Sequence, residues 1–86
     1  MNWQQAQASY PDRWLLVEVR AGNSEKGLRR LLELDVVDSF ESALDAMASY
    51  SDLHKAEPGN EYYVLHSSRE EAVVEERKWI GVRGTK

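Results

Sequence analysis

His66 is followed directly by Ser67 and Ser68, and that short run is the first place in the chain to look for chemistry. A histidine that accepts the proton of a neighbouring serine hydroxyl turns that serine into a nucleophile. Successive residues of a strand point to opposite faces, so Ser67 is badly placed against His66. Ser68 meets the ring only if the extended pairing continues. No G-x-S-x-G elbow accompanies them. A partly buried histidine making a structural hydrogen bond at a strand end is the simpler reading. The other histidine, His54, falls near the end of a helical pattern, where it suits the negative pole of the dipole.

Carboxylates offer a second route to chemistry. On a helix, Glu71 and Glu75 would stack on one face and share a proton or a divalent ion. Glu70 and Glu76 flank them and Arg77 and Lys78 follow, so a solvated charged face explains the run with less. There is no H-E-x-x-H, no calcium-loop pattern, no glycine-rich phosphate cradle and no cysteine. No metal, cofactor or catalytic residue is therefore expected, and the chain does not read as an enzyme.

The aromatic residues are more suggestive. Trp3, Trp14 and Trp79 are joined by Tyr10, Tyr50, Tyr62 and Tyr63 in a chain of 86 residues. A core this small cannot enclose them all, and Trp and Tyr are enriched at interface hot spots. Trp3, Trp14, Tyr62 and Trp79 are the expected interaction surface. Arg69, Arg77 and Arg83 are the expected electrostatic contacts.

These residues need elements to position them. Residues 14–20 (WLLVEVR) alternate as a strand, with Leu15, Val17 and Val19 on a uniformly apolar face and Trp14 and Leu16 on the other. Residues 22–27, bracketed by glycines, read as a loop, and residues 30–37 as a second strand. Phe40, Ala43, Leu44, Met47 and Tyr50 recur at helical spacing over residues 40–54, with Asp38 or Ser39 as the cap. Residues 61–66 (EYYVLH) form a third strand. The pattern over residues 68–80 fits either a helix or a strand.

The expected fold class is α+β: a small, largely antiparallel sheet of three or four strands with one main helix on one face. The element order is β-β-α-β plus a short C-terminal strand or helix. Residues 1–9 read as a flexible arm, 10–84 as a single domain and 85–86 as a tail. The sheet face carrying Trp14, Leu16, Tyr62 and Val64 has nothing obvious to cover it except the arm, the C-terminal element or a second copy.

Composition narrows the function classes. The net charge of −4 opposes non-specific nucleic-acid binding. Acids cluster in residues 38–52 with no base among them, which would repel phosphate and attract a basic partner. The first residues lack the basic and apolar regions of a signal peptide, and no apolar run approaches a membrane span. The absence of cysteine fits a reducing, cytoplasmic setting.

Four stretches carry a resemblance: YPDRWLLVE at 10–18, the Ala/Met/Tyr helix ending near Tyr50, EYYVLHSSREE at 61–71 and ERKWIGVRG at 76–84. Together they resemble a group of short uncharacterised bacterial proteins of cyanobacterial type. The likeness spans nearly the whole chain from Tyr10. It implies a small bacterial cytoplasmic domain and carries no activity, cofactor or catalytic residue with it.

The expected function is a non-catalytic protein-interaction module whose partner is another protein or a second copy of itself. The alternative is a small regulator that binds nucleic acid or a toxin-like or ribosomal partner.

Overall fold

In a computed structural model, which describes residues 1–75, the chain is a small α+β fold. Its four-stranded antiparallel sheet has helices packed on it. The elements in chain order are α1 (Trp3–Ser9), β1 (Trp14–Glu25), β2 (Leu28–Phe40), α2 (Ala43–Ala56), β3 (Tyr62–His66) and β4 (Val73–Glu75). The sheet order is β3-β1-β2-β4.

The β1–β2 hairpin is longer than the sequence pattern suggests. Residues 22–25, expected as loop, continue β1, and only Lys26 and Gly27 turn the chain. Both have positive φ, 54° and 81°, as a two-residue type I′ turn requires. Gly27 takes this conformation without strain, and Lys26 takes it against its side chain. Register shifts between Leu16 and Val17, and on both sides of Ala21, coil the hairpin.

Because β1 is central, both of its faces are buried. Leu15 and Val17 pack with Leu31, Leu34, Leu65 and Val74 on one face, under Trp3 and Ala6 of α1. Leu16 packs with Tyr62, Val64 and Ala46 on the other, flanked by Trp14, Phe40, Tyr50 and Leu53. The alternation along β1 is the one the sequence predicts. The covering of the faces is not. The main helix lies on the Trp14/Leu16/Tyr62/Val64 face, and the supposed flexible arm supplies the helix on the other.

Chirality explains the first correction. β2 and β3 are both antiparallel to β1, so β2-α2-β3 is a crossover between parallel strands that steps over β1. Such connections are right-handed in about 98% of cases. Leu16 points its side chain towards α2 and its peptide groups towards β2, which for an L-residue is the right-handed arrangement. That hand puts α2 on the Leu16 face.

Anchors explain the second. Asn2 caps α1 through a reciprocal capping box with Gln5. Trp3 Nε1 donates to the carbonyl of Arg69 at 2.8 Å, Gln7 donates to the carbonyls of Ser67 and Arg69, and the Leu34 amide donates to Met1 O at 2.8 Å. A seven-residue helix has little stability of its own, so these contacts and the burial of Trp3 hold it.

Helix α2 starts three residues later than its apolar periodicity implies. Phe40 belongs to β2, opposite Trp14, and Ser42 rather than Asp38 or Ser39 is the cap, accepting from the Leu44 and Asp45 amides. The later start turns Ala46, Tyr50 and Leu53 inward and leaves Leu44 at 82% and Met47 at 41% exposure. At the C-terminal end, Ala72 and Val74 enter the core and residues 73–75 pair with residues 28–30, so this part is strand. The remainder of the ambiguous 68–80 stretch beyond residue 75 lies outside the described residues.

Two substitutions test the hairpin. A Cβ at Gly22 would stand 2.7 Å from the backbone oxygen of Arg30 and 3.3 Å from Arg29 Cζ. Gly22→Ala is expected to destabilise the fold by about 1–3 kcal/mol in urea unfolding. Lys26→Asn relieves the left-handed residue and is expected to stabilise by about 0.5–1 kcal/mol, read as a rise in Tm.

Candidate functional site

The end of β3 and the turn after it bring His66 and Ser68 together. The Arg69 amide donates to the His66 carbonyl at 3.1 Å, closing a tight turn. Within it, Ser68 Oγ lies 2.8 Å from His66 Nδ1, and the Ser68 amide donates to the same nitrogen at 3.2 Å. Accepting an amide N–H makes Nδ1 the unprotonated nitrogen, which assigns the ring proton to Nε2. Nε2 faces Asp12 Oδ1 at 3.7 Å, and the ring stands edge-on to Trp14 at 4.9 Å. The sequence pattern missed this route: a turn, not continued extension, joins His66 to Ser68. The signal was the i, i+2 spacing of His and Ser inside a Ser-Ser-Arg turn.

Ser67 plays a different part. Its buried hydroxyl accepts from the Arg13 amide at 2.9 Å, and its own amide donates to the Arg13 carbonyl at 2.8 Å. These bonds continue the β1–β3 ladder past the strand ends.

Serine, histidine and aspartate here have the types of a nucleophilic triad but not its setting. Asp12 is 95% exposed and Ser68 lies in open solvent. The Ser68 amide, a natural oxyanion donor, is committed to His66. The group acts as a lock on the turn. His54 is likewise accounted for, stacked on Tyr50 one helical turn away.

A second polar group bridges three strand positions. Arg29 on β2 reaches over Gly22 of β1 to Glu61, the residue before β3, with Nε–Oε2 and Nη2–Oε1 both 2.8 Å. The Tyr63 hydroxyl donates to Glu61 Oε2 at 2.9 Å. The bidentate Arg29 guanidinium holds the Glu61 carboxyl below its ordinary value of 4.5. Partial burial works against this shift, and the Tyr63 hydroxyl adds to it.

Three of the four residues of the expected interaction surface are described, and they do not share one face. Trp3 is buried on the α1 face, whereas Trp14 and Tyr62 pack against α2 on the opposite face. Trp79 lies outside the described residues. Arg69 is exposed, and its carbonyl anchors α1. Arg77 and Arg83 also lie outside the described residues. Arg13, Arg20, Arg29 and Arg30 each face a carboxylate: Glu41, Asp35, Glu61 and Glu71 respectively. Glu71, weighed above as half of a carboxylate pair, is thus tied to Arg30. Among the described residues no cluster of three metal-ligating side chains occurs, and no helix is long and apolar enough to cross a membrane.

The sheet edge is what the structure adds. Among the described residues β3 is an outer strand of the sheet. Bonds from the Ser67 amide to Arg13 O and from the Val19 amide to Glu61 O bracket its ladder with β1. By antiparallel alternation, residues 63 and 65 bond to β1, while the N–H and C=O groups of Tyr62, Val64 and His66 point outward. The β1–β3 pairing contains no register shift, and β3 carries no proline, lysine or carboxylate. These are the devices that normally blunt an edge. The outer side of β2 has them: bulges, Glu33, Asp35 and Asp38, and cover from Met1 and β4.

An exposed apolar group adjoins the β3 edge. α2 runs alongside β1 in the same direction, from the level of Phe40 to that of Tyr62. A right-handed helix turns about 100° per residue, so Met47 follows the inward Ala46 onto the flank towards β3. Leu44, two residues before Ala46, points almost directly away from the sheet.

No protein-family model matches the chain, and no curated protein or solved structure shows significant similarity to it.

The Arg29–Glu61 pair sets a pH dependence with a definite sign. Glu61 has a lower pKa folded than unfolded, so its contribution is complete above the unfolded value. It is lost as pH falls through the folded one. The stability gap between wild type and Glu61→Gln is expected to be constant from neutral pH to about 5 and to shrink at lower pH. Urea titrations at stepped pH read it directly.

Proposed function

We propose that this protein is a non-catalytic interaction module that binds its partner by strand addition along β3. One observation carries the reading: among the described residues, β3 offers the outward backbone groups of Tyr62, Val64 and His66 on a regular edge with no bulge, proline, lysine or carboxylate. In strand addition the main chain supplies affinity and alternate side chains supply specificity. Met47 on the flank of α2 towards β3 gives an incoming strand an apolar group to rest on.

The same geometry favours a protein partner over a nucleic acid. Four arginines of the described surface are engaged by carboxylates, and the chain carries a net −4. A phosphate backbone would have to displace those carboxylates and overcome that charge.

Proline at position 64 tests the edge itself. The Val64 N–H points away from β1, so Val64→Pro removes an outward donor and leaves the β1 ladder intact. Peptides selected from a displayed random library on the wild type are expected to lose binding to Val64→Pro by about tenfold or more, one to two hydrogen bonds' worth. Equal recovery on both proteins, or no selection on either, overturns strand addition. Circular dichroism and a urea midpoint establish that the variant is folded.

A further inference from the structure

We propose that the occupant of the β3 edge is a second copy of this chain, joined in antiparallel register across a two-fold axis at Val64. The proposal rests on the strand-addition reading and names its partner.

The outward groups decide the register. They belong to Tyr62, Val64 and His66, a set symmetric about its middle member. Antiparallel self-pairing centred on Val64 sets Val64 against its own copy and Tyr62 against the copy's His66. No other centring pairs every outward residue of β3 with another of them. A centre at Tyr62 would bring Pro58, which has no N–H, opposite His66. A centre at His66 would put Glu70 opposite Tyr62, beyond the turn that ends the strand.

Charge fits the same register. Glu61 falls opposite the copy's Ser67, and Asn60 opposite its Ser68, so no carboxylate faces a carboxylate along the junction. Glu61 is already neutralised by Arg29 within its own chain. A two-fold axis normal to the sheet keeps each α2 on the same face of the joined eight-stranded sheet. Met47, on the β3 side of each helix, then approaches its counterpart over the junction. This accounts for the 41% exposure of an apolar side chain on that flank. The contact is isologous, so it closes at two chains and leaves the short β4 strands at the two outer ends of the joined sheet. One short strand and one apolar side chain from each copy make an interface below the standard size of about 800 Å² per partner.

Sedimentation equilibrium and residue-resolved amide exchange, both run over a concentration series, test this. The expected result is a monomer–dimer equilibrium in which exchange at Tyr62, Val64 and His66 slows as dimer forms. The β1-bonded amides of Tyr63 and Leu65 should not respond. Met47→Glu, at an exposed site that does not threaten folding, should weaken association about tenfold or more, the effect of about 1.4 kcal/mol. A chain that stays monomeric with fast exchange at those three amides overturns the dimer and leaves the edge open to another protein. Slow exchange at those amides in the monomer, independent of concentration, means that the same chain fills its own edge and overturns the strand-addition reading as well. A dimer whose three amides stay fast, and which tolerates Met47→Glu, overturns the register.

Discussion

Strand β1 must bury apolar side chains on both of its faces at once, and the rest of the fold answers that demand. Leu15 and Val17 point to one side and Leu16 and Trp14 to the other, so a single helix cannot shield the strand. Two strands flank it and two helices cover it. Each helix is too short or too weakly amphipathic to stand alone, and each is held at its ends by caps and backbone hydrogen bonds. A small chain thereby has two thin cores in place of one thick core, with the sheet as the shared wall.

Much of this was legible because the governing rules are local. The alternation over residues 14–19 gave both faces of β1 correctly, and the aromatic and β-branched run ending at His66 gave β3. The errors came where a local pattern served two elements. Phe40 continued the helical period of Ala43 and Met47, yet its backbone was already committed to Trp14 across the hairpin. Including it rotated the apparent face of α2 and put Leu44 and Met47 inside. Trp3 looked isolated because its partners lie far along the chain, at Arg69 and in the core beneath. No window of sequence contains both.

The candidate site was less legible still, for a physical reason. An edge is made by neighbours that are absent from one side, and its hydrogen-bonding groups belong to the backbone, which side-chain identity does not report. The sequence did hold one half of the signal. YYVLH has no proline and no lysine or acid, which is unusual economy for an outer strand. What it could not give was the order β3-β1-β2-β4, which depends on the right-handed passage of α2 over β1. Of the aromatic residues singled out from composition, Trp3 packs in one core and Trp14 and Tyr62 in the other, on opposite sides of the sheet.

The anchoring of α1 also imposes an order of assembly. The β1–β2 hairpin is closed by a two-residue turn, so its contacts cost little chain entropy and are available early. α1 is first in the chain, but its ties are to Leu34, Ser67 and Arg69. Leu34 is in place once the hairpin has formed, but the carbonyls of Ser67 and Arg69 are not until α2 has crossed and β3 has docked. Although α1 precedes the other described elements in the chain, it is thus the last of them to find its site. Until then the Leu15/Val17 face of the sheet lies open, a window in which a newly made chain depends on completing its C-terminal half before its N-terminal helix can close the core.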